Sequence, residues 1–161
     1  MPTVLITGAS RGLGLEFAQQ YHQDGWKVIA TARNLQKAHK LNSFKDKFYI
    51  REMDVTLQSH IDRVKSEFQD EKIDVLINNA GINKIGEFAA IDVDDFDRIL
   101  RVNLRTPFLL CQAVIPYMKE KNWGRIINLT SIFGSISKEY RASYSSSKFG
   151  LDGMTAALAA E

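Results

Sequence analysis

The chain has 161 residues, of which 45% are hydrophobic and 25% are charged, and these proportions suit one globular domain and exclude a disordered chain. Its 21 basic and 19 acidic residues leave a formal net charge of +2, so no overall field directs it to nucleic acid or to an anionic membrane. The N-terminal apolar run is too short for a signal peptide and nothing approaches the roughly 18 apolar residues of a membrane span, so we expect a cytoplasmic protein.

Strands and helices alternate along the chain. Val4 to Ile6 predicts a strand, which a glycine turn joins to a helix that begins near Leu15. Further strands are predicted at Trp26 to Thr31, Phe48 to Arg51, Val75 to Ile77 and Arg125 to Leu129. Helices are predicted near residues 36 to 43, along a face marked by Ile61, Val64 and Phe68, at Ile91 to Val102, from Pro107 through Met118, and at Tyr144 to Glu161. This alternation predicts an α/β fold with a parallel sheet covered by helices on both faces, and residues 1–161 as one domain.

The glycine turn after the first strand suits a phosphate. Gly8, Gly12 and Gly14 stand where a backbone must turn tightly and approach a pyrophosphate without a Cβ atom in the way. The helix that follows offers unpaired N–H groups at its N-terminus. The spacing G-x-x-x-G-x-G differs from the common G-x-G-x-x-G fingerprint, and a glycine turn alone is a weak signal.

Tyr144 and Lys148 carry the most specific chemistry. On a helix they share one face, and a cation near a phenol stabilises the phenolate that proton transfer requires. Ser131 could hold the oxygen of a carbonyl or alcohol while Tyr144 exchanges a proton with it. An isolated pair of this kind is usually a Tyr and a Lys on a solvated helix face, so other motifs must support the catalytic interpretation. The loop from Gly134 to Tyr140 lies between Ser131 and Tyr144, where a substrate would enter.

Several motifs together resemble those of the short-chain dehydrogenase/reductase family. The run Thr7-Gly8-x-x-x-Gly12-x-Gly14 is followed in order by Asp54-Val55, Asn78-Asn79-Ala80-Gly81, Asn103, Ser131 and Tyr144-x-x-x-Lys148. The resemblance implies a Rossmann-type, doubly wound fold, a nicotinamide cofactor, and hydride transfer between that cofactor and a carbonyl or alcohol.

The resemblance also implies roles for residues. Tyr144 would be the general acid and base, Lys148 would assist it and bind the nicotinamide ribose, Ser131 would orient the substrate oxygen, and Asn103 would support a proton-relay water. The expected cofactor-binding residues are Gly8, Ser10, Arg11, Gly12, Leu13, Gly14, Arg33, Asp54, Val55, Asn79, Ala80, Gly81, Tyr144 and Lys148. Simpler structural roles exist for Asp54 as a turn carboxylate, for Asn78 and Asn79 as turn caps, and for Asn103 as a buried amide.

The end of the second strand decides the cofactor. A carboxylate there would bind the ribose hydroxyls and repel a 2′-phosphate, whereas an arginine would pair with that phosphate. This chain has Thr31-Ala32-Arg33-Asn34 at that point, and Arg11 lies in the nearby glycine turn. We therefore expect NADP(H) in preference to NAD(H).

The cysteine and the histidines predict no metal site. Cys111 lies inside an apolar helical pattern and is expected to be a core thiol. His22, His39 and His60 have no metal-ligand spacing with one another or with Cys111, so no zinc is expected.

The family pattern usually continues beyond the Tyr-Lys helix, whereas this sequence stops at Glu161. We expect the C-terminal substrate-binding part to be absent from residues 1–161 and the strand Arg125 to Leu129 to form a sheet edge. Either these residues are part of a longer enzyme, which we favour because every catalytic position among them holds a chemically competent residue, or they are a shortened relative. One alternative is a truncated nucleotide-binding sensor or scaffold with little or no turnover. A sugar epimerase or dehydratase of the extended relatives would share Tyr-x-x-x-Lys but would space its glycines G-x-x-G-x-x-G. The resemblance also implies a homodimer through the helices at residues 107–119 and 144–161.

Overall fold

The computed structural model describes residues 1–69 and 71–161. Its strands are β1 Thr3–Ile6, β2 Lys27–Ala32, β3 Tyr49–Glu52, β4 Val75–Asn78 and β5 Arg125–Asn128. Its α-helices are α1 Gly12–Gln23, α2 His39–Asn42, α3 Gln58–Gln69, α4 Val93–Leu100, α5 Thr106–Glu120 and α6 Ala142–Ala160. The side chains of Val64 and Phe68, which mark the predicted face of α3, lie outside what the structure describes.

The strands form one parallel sheet in the order β3-β2-β1-β4-β5. β1 lies at the centre, with Leu5 opposite Ile29 of β2 and Leu76 of β4. The residues of β1 and β4 are buried along their whole length, which is consistent with the apolar runs Val4 to Ile6 and Val75 to Ile77 within them. The strand order reverses between β1 and β4, so the carboxyl ends of these two strands border the crevice where ligands bind in such sheets.

The core lies in two layers, one on each face of the sheet. One layer gathers around Val4, Ile6 and Leu15, and the other around Leu5, Leu76 and Leu110. Helices therefore cover both faces, which confirms the predicted doubly wound Rossmann-type architecture. Among the described strands β5 pairs with β4 alone and lies at one edge of the sheet, where Ile127 is 39% exposed.

Two helical segments differ from the sequence prediction. The expected helix near residues 36 to 43 is a 3₁₀ turn, Leu35–Lys37, followed by the single turn of α2. The expected break before Pro107 is absent, because a π-helical turn at Arg101–Arg105 connects α4 directly to α5. This wider turn accommodates the proline, which lacks an N–H group, and the Thr106 hydroxyl donates to the carbonyl of Arg101 at 3.0 Å.

No helix within the described residues is both long and apolar enough to cross a bilayer.

Candidate active site

The glycine turn is packed too closely for side chains at two of its three glycines. Gly8 has a φ of +67°, and a Cβ atom there would lie 2.9 Å from the Cα atom of Ala80. A Cβ atom on Gly14 would lie 2.5 Å from Nδ2 of Asn79 and 2.6 Å from the carbonyl oxygen of Gly8. Gly12 has open space around it, but its φ of +57° favours glycine. The turn after β1 is therefore pressed against the turn after β4.

Hydrogen bonds from two side chains hold these turns together. The Thr7 hydroxyl accepts the N–H groups of Asn79 and Ala80, each at 3.0 Å. The Asn79 side-chain nitrogen donates to the carbonyl oxygens of Thr7 at 2.9 Å and Gly8 at 3.0 Å. Asn79 thus performs the turn-capping role that the sequence left open, and Thr7, which was not among the predicted site residues, is its partner. Their separation of 72 residues along the chain explains why no local pattern predicted the pairing.

A groove of about 600 Å³ runs along the carboxyl ends of the central strands. Its lining includes most of the predicted cofactor-binding residues, namely Gly8, Ser10, Arg11, Gly12, Arg33, Asp54, Val55, Asn79, Ala80 and Gly81. Leu13, Gly14, Tyr144 and Lys148 do not line it. Leu13 is 65% exposed on the first turn of α1. Lys37 and Arg98 also line the groove, and the sequence offered no signal for either of them.

The charges of the groove are mainly positive. Arg11, Arg33, Lys37 and Arg98 line it, with the carboxylate of Asp54 among them. Burial by itself raises the pKa of Asp54, but the hydrogen bonds from Thr56 and the charges of Arg33 and His60 outweigh burial, so the pKa lies below its usual value. Asp54 is therefore ionised at neutral pH.

Asp54 also has the turn role that the sequence allowed. Its Oδ1 accepts the backbone N–H of Thr56 at 2.9 Å and the Thr56 hydroxyl at 2.7 Å. Its own backbone N–H donates to Nδ1 of His60 at 3.0 Å. His60 is therefore a half-buried support of this turn.

Tyr144 and Lys148 lie one turn apart on α6, as their spacing predicts. The Lys148 ammonium is 5.7 Å from the centroid of the Tyr144 ring and donates to the carbonyl oxygen of Leu129 at 2.7 Å. Lys148 is only 5% exposed, and this burial lowers the pKa of its ammonium, although the Asp152 carboxylate offsets part of the shift. The solvated-face alternative for this pair is therefore excluded for Lys148.

Gly81 joins the groove to this pair. It lines the groove, and a Cβ atom on it would lie 3.9 Å from Nζ of Lys148 and 3.6 Å from Oδ1 of Asn103. A ligand that follows the groove past Gly81 therefore arrives directly at the buried ammonium.

Asn103 is fully enclosed in the π-helical turn, at 1% exposure. Its Oδ1 accepts the N–H of Ile82 at 2.9 Å, and its Nδ2 donates to the carbonyl of Ile82 at 2.9 Å and to the Ser147 hydroxyl at 3.0 Å. Both amide hydrogens are thus used within the protein. Asn103 connects the segment after β4 to α6, which is the structural role that the sequence left open. A π-helical turn at such a residue is typical of functional sites.

Ser131 is brought to the same end of the sheet. It precedes the 3₁₀ turn Ile132–Gly134, and its hydroxyl accepts the N–H of Phe133 at 3.2 Å. The Phe133 ring meets the Tyr144 ring edge-on, with centroids 6.3 Å apart. The serine hydroxyl, the phenol and the ammonium are therefore grouped beyond the carboxyl end of β5.

No three His, Cys, Asp or Glu side chains come close enough together to hold a metal ion, as far as residues 1–69 and 71–161 show. Cys111 is buried at 4% exposure, and burial raises the pKa of its thiol to about 11 despite a hydrogen bond from Asn78. This confirms the predicted core thiol.

Comparisons with known proteins agree with this arrangement. A family model described as short chain dehydrogenase matches residues 2–161. The chain is 39% identical over 160 residues to 3-oxoacyl-(acyl-carrier-protein) reductase FabG of Rickettsia bellii. The aligned region covers 99% of this chain and 66% of that protein. The chain therefore spans about two thirds of the length of the curated relatives it matches.

Solved structures show the same fold. A metagenomic short-chain oxidoreductase in complex with NADP superposes with a TM-score of 0.90 at 29% identity, over 98% of this chain and 74% of that one. A gluconate 5-dehydrogenase from Burkholderia cenocepacia, in complex with NADP and tartrate, gives a TM-score of 0.86 at 32% identity, over 99% of this chain and 65% of that one. The chain belongs to the short-chain dehydrogenase family of oxidoreductases, whose members bind nicotinamide cofactors.

Proposed function

We propose that the protein is an NADP(H)-dependent oxidoreductase that transfers a hydride between the nicotinamide and a small carbonyl or alcohol substrate. One observation carries this proposal: a groove of cofactor size, built on the glycine turn, leads past Gly81 to the buried ammonium of Lys148 beside Tyr144. In this proposal residues 1–161 form the dinucleotide-binding unit that also carries the catalytic residues.

The residues around the groove fit a dinucleotide. The volume of about 600 Å³ lies within the range of small-molecule and cofactor sites. Gly8 and Gly14 let the turn after β1 pack closely on the turn after β4, and α1 begins at the carboxyl end of β1, where its first N–H groups have no partners within the helix. A bound nicotinamide would supply or accept the hydride.

The proton chemistry belongs to the protein. Tyr144 would give a proton to the substrate oxygen during reduction, or take one during oxidation, while Ser131 donates a hydrogen bond to that oxygen. The Lys148 ammonium, held in place by the carbonyl of Leu129, would stabilise the phenolate form of Tyr144 electrostatically. Because Lys148 is buried, this attraction is weakly screened by solvent. Asn103 would hold the segment at Ile82 and α6 in register, which keeps these groups aligned.

The preference for NADP(H) rests on charge. Arg11, Arg33 and Lys37 line the same groove, and an arginine beside a phosphate can donate two parallel hydrogen bonds. The two solved relatives described above were crystallised with NADP, which supports the same choice. Asp54, the carboxylate in the groove, has one oxygen occupied by Thr56 and would use the other near the adenine.

Titration of NADPH and NADH against the protein tests the cofactor proposal. Arg33→Ala should weaken NADPH binding about 10- to 100-fold, the worth of a charged hydrogen-bonded pair, and should change NADH binding little. Arg125→Ala, which removes an exposed arginine of β5, is the matched control and should change neither. Tighter binding of NADH, unchanged in Arg33→Ala, would overturn the preference.

Turnover is tested by following NADPH oxidation with a panel of aldehydes and ketones. Tyr144→Phe keeps the ring but removes the phenolic hydroxyl that would exchange the proton, so it should lower kcat by at least about 100-fold. Tyr49→Phe, an exposed tyrosine of β3, should leave the rate unchanged. NADPH binding without turnover of any substrate would instead support a sensor or scaffold.

Oligomer formation is part of the proposal. A cavity of about 550 Å³ opens between α4, the π-helical turn, α5 and α6, lined by Asp97, Leu100, Arg101, Leu104, Arg105, Phe108 and Met154. Phe108 is 46% exposed there, so it is a surface residue of α5 and suits the subunit contact that the sequence allowed. A second copy of the chain would cover this face, and sedimentation equilibrium should give a dimer mass.

A further inference from the structure

We propose that Arg141 selects a carbonyl or alcohol substrate that carries a carboxylate. This inference rests on the proposed function, because it names the substrate class of the same site. Its starting point is a cation near the candidate catalytic tyrosine that forms no ion pair in the described part of the chain.

The Nε–H group of Arg141 is buried and has no hydrogen-bond partner within residues 1–69 and 71–161. None of the ion pairs formed among the described residues includes Arg141. A buried donor without a partner is costly, so native proteins almost always satisfy such groups with protein, water or ligand. Since the described protein groups supply no acceptor, a ligand oxygen suits this position.

Arg141 is held close to Tyr144 by Phe133. The guanidinium carbon of Arg141 lies 5.6 Å from the centroid of the Phe133 ring. The centroid of the same ring lies 6.3 Å from the centroid of the Tyr144 ring. These two distances place the guanidinium no more than about 12 Å from the Tyr144 ring. A substrate whose carbonyl is at Tyr144 could therefore present a second polar group, a few bonds away, to Arg141.

The backbone around Arg141 fixes its position. Tyr140 has a φ of +63°, a left-handed conformation that costs energy for a residue with a side chain. The Tyr140 carbonyl accepts the N–H of Gly86 at 3.3 Å, and the hydroxyls of Ser137 and Ser145 are 2.6 Å apart. The loop is thus connected to the segment after β4 and to α6, and the turn at Tyr140 sets the direction in which the chain enters α6.

The chemistry favours a carboxylate over a neutral group. An arginine fork donates two parallel hydrogen bonds to a carboxylate, with a geometry that a hydroxyl or an ester cannot match. Arg141 directly precedes α6, a helix of 19 residues, and the partial positive charge of a helix N-terminus adds to the attraction. The aromatic face of Phe133 holds the guanidinium without neutralising it.

The experiment compares keto acids with their own methyl esters under NADPH. The acids are 4-oxopentanoate, 5-oxohexanoate and 6-oxoheptanoate. Each acid has the same reacting carbonyl as its methyl ester and differs from the ester in charge. At least one acid should exceed its ester in kcat/KM by about 10-fold or more, and Arg141→Gln should bring that ratio close to one. Arg141→Lys, which keeps the charge but not the fork, should fall between them. Lys138→Gln, which removes an exposed cation of the same loop, should keep the ratio of the wild type.

Two results would overturn the inference: an acid-to-ester ratio that Arg141→Gln does not change, or an equal fall of that ratio in Lys138→Gln. A second readout does not need turnover. The ¹⁵N–Hε resonance of Arg141, identified by its loss in Arg141→Gln, should shift when the acid is added with NADPH and should not shift with the ester. Absence of a shift at saturating acid rejects the carboxylate site even where ketones are reduced. A shift without turnover of any substrate supports the site and rejects the proposed function instead.

Discussion

Replacing Gly14 with alanine tests the account of the glycine turn. Gly14 has helical neighbours in α1, where alanine is normally favoured over glycine by about 1 kcal/mol. At this position, however, the new Cβ atom would meet Nδ2 of Asn79 at 2.5 Å and the carbonyl oxygen of Gly8 at 2.6 Å. Helix propensity therefore predicts that Gly14→Ala stabilises the protein, whereas packing predicts that it destabilises the protein.

The magnitude follows from what the Cβ atom displaces. The Asn79 side chain must move, and it then loses its hydrogen bonds to the carbonyls of Thr7 and Gly8, worth about 1 kcal/mol each. Moving the Gly8 backbone adds about 1–3 kcal/mol of overpacking cost. After the gain of about 1 kcal/mol in helix propensity, Gly14→Ala should lower the free energy of unfolding by about 2–4 kcal/mol.

Gly153→Ala in α6 is the matched control, because a Cβ atom there meets nothing within 4 Å. It should raise the free energy of unfolding by about 0.5–1 kcal/mol and the Tm by about 1–4 °C. Urea unfolding followed by circular dichroism measures the free energy of unfolding of both variants, and heating followed by the same signal measures the Tm. Adding Asn79→Ala to Gly14→Ala should recover only part of the loss, since the contact with the Gly8 carbonyl remains. If Gly14→Ala is as stable as Gly153→Ala, the close packing of the two turns is wrong.

Two further predictions concern buried polar groups. Because burial raises the pKa of Cys111 from 9.0 to about 11, the unfolded thiol ionises first, so the free energy of unfolding should fall as pH rises from about 9 to about 11. Cys111→Ala should remove that fall in pH-dependent urea titrations, and an unchanged slope would contradict the burial. Asn103→Ala loses three hydrogen bonds, with Ile82 and Ser147, and should destabilise the protein by about 2–4 kcal/mol. Ser147→Ala loses one of these bonds and its own bond to the carbonyl of Tyr144, and should cost about 1–2 kcal/mol in the same assay. Equal losses in both variants would refute a central role for the Asn103 amide.

Local sequence patterns predicted the elements whose cause is local. The buried runs of β1 and β4 are apolar because both faces of each strand are covered, and that composition is visible without a structure. The spacing of Tyr144 and Lys148 likewise becomes one helical turn wherever the segment is helical. The predicted helix start at Pro107 is confirmed within one residue, whereas the gap predicted between Val102 and Pro107 is absent because a π-helical turn fills it. That outcome depends on a wider backbone geometry that no residue pattern specifies.

Other features depend on which segments the sheet order brings together. Nothing near Lys37 or Arg98 in the sequence indicates a ligand, and both become groove residues only because β2 and α4 end at the same crevice. Arg141 and Phe133 meet in the same way, through the packing of the loop on α6. The burial of Lys148 also depends on the tertiary structure. Its ammonium donates to the carbonyl of Leu129, the residue that directly follows β5.

The sequence by itself determined the α/β alternation, the glycine turn and the Tyr-Lys pair, because each depends on residues a few positions apart. The tertiary structure alone decided that the groove passes Gly81 to reach Lys148, that Asn79 and Asn103 use their amides to hold separate segments together, and that the Arg141 Nε–H is buried without an acceptor among the described residues. Those contacts form between residues far apart in the chain, and parallel strands joined by crossovers bring such residues to one edge of the sheet.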